Sequence, residues 1–165
     1  LDLAYHGEMT RVLYVLLALA VSVVAAPAQP RGASSDPCAL VTVAEVQKAV
    51  GHPFGASKRN ATNPSVCDYT AGNVGAVVNV MLVDKAPGDS AEKTVAELKK
   101  RKIAAETVAG IGDGAYSSDP GYGMRQLGAY KGSKHVIVTL MIPGATVAQA
   151  KAAAGELIRK ALARL

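Results

Sequence analysis

With 165 residues, a net charge of +5, no tryptophan and a single phenylalanine, Phe54, the chain has the length of one domain whose core must be aliphatic. Such a composition does not advertise an aromatic platform on which bases or sugars would stack. Two cysteines and three histidines, none at metal-ligand spacing, argue against a metal centre.

Residues 1–8 precede the first methionine and read as an upstream extension. Residues 9–28 have the pattern of a secretory signal peptide: Arg11 gives a positive start, Val12 to Val24 is apolar, and Ala26 and Ala28 form a small-x-small cleavage pair. The apolar run falls short of the roughly 17–25 residues that span a bilayer, although an uncleaved anchor is the rival reading. Removal of the leader would make the protein secreted or periplasmic. Residues 29–35, carrying Pro, Gly and Ser, form a flexible tether. Residues 36–165 then form a single α+β domain. Export places Cys38 and Cys67 in an oxidising compartment, where two cysteines have one intrachain pairing, a disulfide. Loop-closure entropy gives such a bridge about 3.5 kcal/mol. Ser35-Asp36-Pro37 is not the context of a lipidated cysteine, so Cys38 carries no lipid.

The first helix opens at Thr42 with a capping box to Glu45 and a staple between Val41 and Val46; Gly51 and Pro53 end it. A polar loop over 58–65 contains a glycosylation sequon, Asn60 to Thr62, read as plain loop. Strands over 66–71 and 74–83 pair as a hairpin around Gly72-Asn73. Alternation of Ala76, Val78, Val80 and Leu82 against Val77, Met81 and Val83 makes the second strand central and covered on both sides. A second helix runs from Asp89 to Lys102, capped by Asp89 and Glu92, with Ala91, Val95 and Leu98 inward. Strands near 113–118, 123–130 and 134–142 follow, punctuated by turns at Asp119-Pro120-Gly121 and Lys131-Gly132-Ser133. The last helix starts with the Thr146–Gln149 capping box and runs to the C-terminus. Thr-Val-Ala-Glu/Gln recurs at 42, 94 and 146, a coincidence of an Ala/Val-rich chain, because the strands between align poorly. The expected fold is an antiparallel sheet of about five strands packed by three helices, with one disulfide.

Ala109 to Tyr116 holds three alternate glycines. A phosphate loop needs a strand before the glycines and a helix after them. Here a helix precedes and a strand follows, so the stretch reads as a bend entering the sheet, closed by Asp113. Together with Asp36-Pro37-Cys38-Ala39-Leu40-Val41-Thr42, Glu45, Gly51 and Cys67, the segment Gly110-Ile111-Gly112-Asp113 with Ala115-Tyr116 resembles a family of exported bacterial proteins of unknown function. Many of its members are lipoproteins with an Asp-Pro-Cys start, a second Cys and a Gly-Leu-Gly-Asp-x-Ala signature. The resemblance implies a Cys38–Cys67 pairing and a structural role for the glycines. It brings no activity.

Three further features are candidate sites. Lys99, Lys100, Arg101 and Lys102 could contact an anionic envelope lipid or glycan, although cations at a helix C-terminus also complement its dipole; nucleic acid is not expected. Tyr116, Tyr122 and Arg125 mark a possible binding surface for a small ligand or an envelope protein. Alternation sends Arg125 to the face opposite Tyr130. His52 and His135 would serve a small envelope hydrolase whose site is built from scattered His, Ser and Asp residues, but no nucleophile elbow accompanies them. No metal or cofactor is expected. The leading expectation is a non-catalytic binding or interaction domain of the cell envelope. A protein-facing inhibitor or subunit is the reading that a large apolar patch on the outer sheet face would favour.

Overall fold

The computed structural model describes residues 35–165. The upstream extension, the signal peptide and the tether up to Ser34's neighbour Ser35 concern residues outside this span, apart from Ser35 itself. A short 3-10 turn, Pro37–Ala39, leads into helix α1 (Val43–Val50). Then come β1 (Lys58–Arg59), β2 (Val66–Ala71), β3 (Ala76–Asp84), α2 (Ala91–Lys100), β4 (Ala104–Val108), β5 (Gly114–Gly121), β6 (Met124–Lys131), β7 (Lys134–Met141) and α3 (Val147–Leu162). The class is α+β with three helices, as expected, but the antiparallel sheet has seven strands rather than about five, in the order β1-β2-β3-β7-β6-β5-β4.

The two additional strands are its edges. β1 is two exposed cationic residues, and β4 is Ala-Ala-Glu-Thr-Val with no apolar alternation. Pairing with a neighbour makes each a strand; burial does not.

The caps of α1 and α3 follow the sequence. Thr42 accepts the Glu45 N–H while the Glu45 carboxylate accepts the Thr42 N–H, and Thr146 and Gln149 repeat the arrangement. Gly51 ends α1 in the left-handed region at φ 78°. Helix α2 departs from expectation. Its N-cap is Ser90, whose hydroxyl accepts the Lys93 N–H, while Asp89 turns back to accept the Ala86 N–H at 3.2 Å. Two turns also move. The β2–β3 connection uses all of Gly72–Gly75, since Ala71 pairs with Ala76. The β5–β6 turn lies at Tyr122-Gly123, both left-handed (φ 55° and 74°), as a tight two-residue hairpin turn requires. Asp119-Pro120-Gly121 is instead the irregular end of β5, where the register shifts.

One face of the sheet carries the main core. Val78, Val80, Val136, Val138 and Leu140 are essentially inaccessible and meet Leu157 and Ile158 of α3 and Val46 of α1. Each such side chain contributes about 2 kcal/mol by burial. The Cys38–Cys67 disulfide ties the 3-10 turn to β2. Beside it the Tyr69 hydroxyl donates to the Val41 carbonyl at 2.6 Å. The C-terminus is locked there too: Arg164 donates to the Leu40 carbonyl and, through both terminal nitrogens, to the Glu45 carboxylate at 2.8 and 2.9 Å.

On the opposite face α2 packs against β4, β5 and the near part of β6, burying Ala91, Val95, Tyr116 and Tyr130 as a second cluster. β3 is central in the sheet, but it is not covered equally on both sides. On the α2 face Val77, Met81 and Ile137 are half-buried and Met141 is exposed, because α2 lies over the other end of the sheet. Among the described residues no helix is long and apolar enough to cross a membrane.

Candidate functional site

Helix α3 lies along β6 and β7, so β5 and β4 project beyond it. The overhang leaves a cleft of about 340 Å³ between the first turns of α3 and strands β4, β5 and β6. Strand alternation decides which side chains enter it. Ser117 and Asp119 of β5 share a face with Arg125 and Leu127 of β6, and Glu106 of β4 sits opposite Ser117. Helix α3 adds Val147, Lys151 and Ala154.

The cleft has an apolar floor, with Leu127 and Ala154 buried at its base. Its polar groups are paired. Arg125 meets Asp119 at 2.7 Å, and Lys151 bridges from α3 to Glu106. The Ser117 hydroxyl donates to the same Glu106 oxygen at 3.3 Å. Lys151 is the main reason the Glu106 carboxyl is held below its usual range; Ser117 assists and Lys99 adds a weaker, longer-range contribution. Two opposite-charge pairs over apolar ground suit a ligand that carries both polar and apolar groups. All of these side chains are anchored on strands or on α3, so the site is preformed.

The structure separates the expected tyrosine–arginine surface. Arg125 is in the cleft. Tyr122 is 94% exposed at the β5–β6 turn and shares with Arg125, Met141 and Val147 a neighbouring hollow of about 360 Å³. Tyr116 is buried on the opposite face, its ring lying over Gly128, where an added Cβ would come within 2.3 Å of it. The face expected for Arg125 relative to Tyr130 is the one observed, since Tyr130 belongs to the α2 cluster.

His135 joins that cluster. It is hydrogen-bonded through Nε2 to the Tyr116 hydroxyl at 3.1 Å and stacks on Tyr130 with centroids 4.2 Å apart. The Tyr130 hydroxyl bonds Thr94 at 2.8 Å, and Lys85 sits over the Tyr130 ring. Burial lowers the His135 pKa to about 4 and raises those of both tyrosines. A neutral imidazole is therefore packed between two phenols here, with the Asp89 carboxylate near enough to oppose part of the effect of burial. His52 lines a separate hollow of about 530 Å³ at the end of α1, together with Ile142, Gln149 and Glu156. His52 lies in the bend after α1 and His135 in β7, and the two do not converge. Among the described residues no group of three or more His, Cys, Asp or Glu side chains is arranged to hold a metal ion.

The glycine stretch is a clamp. Gly112 is left-handed at φ 57°, and a Cβ there would fall 2.2 Å from the Tyr130 carbonyl oxygen. That close approach lets the Asp113 N–H donate to the same carbonyl at 2.8 Å, while the Asp113 carboxylate accepts the Gly132 N–H at 2.7 Å. Ile111 is buried in the main core between them. The segment thus fastens the β6–β7 turn to the sheet entrance through the N–H and the carboxylate of Asp113.

Lys99, Lys100, Arg101 and Lys102 are exposed at the end of α2, immediately before β4. Lys100 pairs with Glu97. Lys102 takes the left-handed conformation that closes the helix (φ 61°), and the Ile103 N–H returns to the Leu98 carbonyl.

Glu106, Ser117, Asp119 and Lys151 are the cleft residues that sequence reasoning missed. Each is unremarkable in its own segment; only the register of β4 on β5 and the reach of Lys151 across 45 residues bring them together. No protein-family model, curated protein or solved structure matches this chain.

Proposed function

We propose that this chain is an exported, non-catalytic binding or interaction domain of the cell envelope, secreted or periplasmic after loss of its leader, and that the cleft beneath the overhanging edge of the sheet seats its ligand. The observation that carries the reading is the composition of that cleft: an apolar floor and two satisfied ion pairs on rigid elements. The Cys38–Cys67 bridge is compatible with an oxidising compartment. The resemblance to exported bacterial proteins with an Asp-Pro-Cys start and a paired glycine signature supports the same address. His135 supports binding over hydrolysis, because its ring is engaged by Tyr116 and Tyr130 on the face away from the cleft.

The test compares the immobilised full chain with its Ala104→Trp variant, which fills the cleft from an exposed position. Components of an envelope extract retained by the first and lost by the second are the expected result. Identical capture by both chains would move the seat elsewhere. Turnover of an extract component that disappears in His135→Ala or His52→Ala would replace binding with the hydrolase reading.

A further inference from the structure

The two edges of the sheet are built differently. At one end β1 is two residues long, and both are cations, Lys58 and Arg59. Short length and exposed charge are the usual means of keeping an edge from pairing. At the other end β4 presents five residues, Ala-Ala-Glu-Thr-Val, with no proline, lysine or bulge. Its one charge, Glu106, is turned to the α3 face and held by Lys151. β4 is last in the strand order, so alternate N–H and C=O groups face outward with no strand beside them among the described residues.

We propose that an extended acidic segment of a partner protein adds to β4 as an eighth, antiparallel strand, with apolar side chains entering the adjoining cleft and carboxylates meeting the basic end of α2. The inference rests on the reading of this chain as a binding domain. It gives the partner its chemistry.

Charge decides the occupant. Lys99, Lys100, Arg101 and Lys102 lie exposed just before Ala104, and of these four only Lys100 has an ion pair among the described residues, with Glu97. A strand antiparallel to β4 brings its C-terminal end to this run. A second copy fits less well, because both chains carry +5 and pairing centred on Glu106 sets two carboxylates opposite each other. Strand addition of this kind takes affinity from main-chain bonds and specificity from alternate side chains. The groove beside the edge supplies the second component.

The probe is the peptide acetyl-Thr-Val-Thr-Val-Glu-Asp-Glu-amide, labelled and titrated into the full chain by fluorescence anisotropy. Three controls accompany it: a version ending Lys-Lys-Lys, a version N-methylated at alternate residues, and the chain carrying Lys99→Glu with Arg101→Glu. The acidic peptide should bind, the lysine version should bind at least roughly tenfold more weakly, and the charge-reversed chain should lose roughly tenfold while keeping its Tm. N-methylation on the edge that faces β4 should abolish binding, because it removes main-chain donors and leaves the charges. Equal binding of the N-methylated peptides would overturn strand addition. Equal binding of the acidic and lysine versions would overturn the acidic partner. Binding to phosphatidylglycerol vesicles in place of the peptide would assign the basic run to a lipid surface, and a doubling of mass with concentration would assign β4 to a second copy; either overturns the proposal. If the peptide fails while the capture lost in Ala104→Trp persists, this inference falls and the binding-domain reading stands.

Discussion

The two faces of the sheet are held by different chemistry. The face under α1 and α3 is aliphatic, stapled by the disulfide and closed by the Glu45–Arg164 pair. The face under α2 is a small patch of rings whose polar ends must be hydrogen-bonded to be buried, and the helix covers only part of it. The contrast teaches that stability is concentrated on one face, while the other depends on a few polar contacts sensitive to their surroundings.

The largest test of this contrast is the staple. Cys67→Ser, or reduction of the native chain, should lower unfolding free energy by about 3.5 kcal/mol for a loop of this length, read from urea unfolding. An undiminished midpoint would show that the main-core face does not need the link. On the other face, Gly128→Ala pushes a methyl group into the Tyr116 ring and should cost about 2 kcal/mol by overpacking, with loss of protection in α2. Glu45→Gln leaves Arg164 without a carboxylate beside the α1 cap and should cost about 2 kcal/mol, as for other hydrogen bonds to charged groups.

Acid should separate the faces further. The His135 pKa is lowered by burial from 6.5 to about 4, so the unfolded chain takes up a proton first. Its contribution is intact above pH 6.5 and lost as pH falls toward about 4. Glu45, held by Arg164 against the opposing effect of burial, is lowered from 4.5 to about 2. Its contribution is complete above pH 4.5 and lost between there and about pH 2. Melting temperature against pH should therefore fall in two stages. His135→Gln should flatten the upper stage and Glu45→Gln the lower one; a single stage untouched by either would break the assignment. The smallest effect is expected at the basic run, where Lys99→Glu with Arg101→Glu should move stability by no more than about 0.5 kcal/mol, measured by the same melts.

What the sequence made legible follows from the same physics. β2, β3 and β7 declare themselves because their inward residues alternate strictly and are buried. α1 and α3 declare themselves through capping boxes. The bridge needs only a count of two cysteines and an oxidising address. β1 and β4 were illegible because an edge buries too little to leave a pattern: Glu106 and Thr107 are exposed, and the preceding alanines suit a helix as well as a strand. The covering of β3 is not legible because the alternation in Val77, Met81 and Val83 does not say which strands a helix lies across. The cleft was hidden because its ion pairs join strands and a helix far apart in the chain. Arg125 stands out in the sequence, but its partner Asp119 reads as part of a turn.

The claim on which the functional account most depends is that the overhanging edge of the sheet is the binding side. Hydrogen exchange of the full chain, resolved by segment with and without the acidic peptide, tests it most directly. Slower exchange over 104–108 and 117–119, with 66–84 unchanged, is the predicted footprint. Protection over 66–84 with none at β4 would put the ligand on the open half of the α2 face and contradict the account.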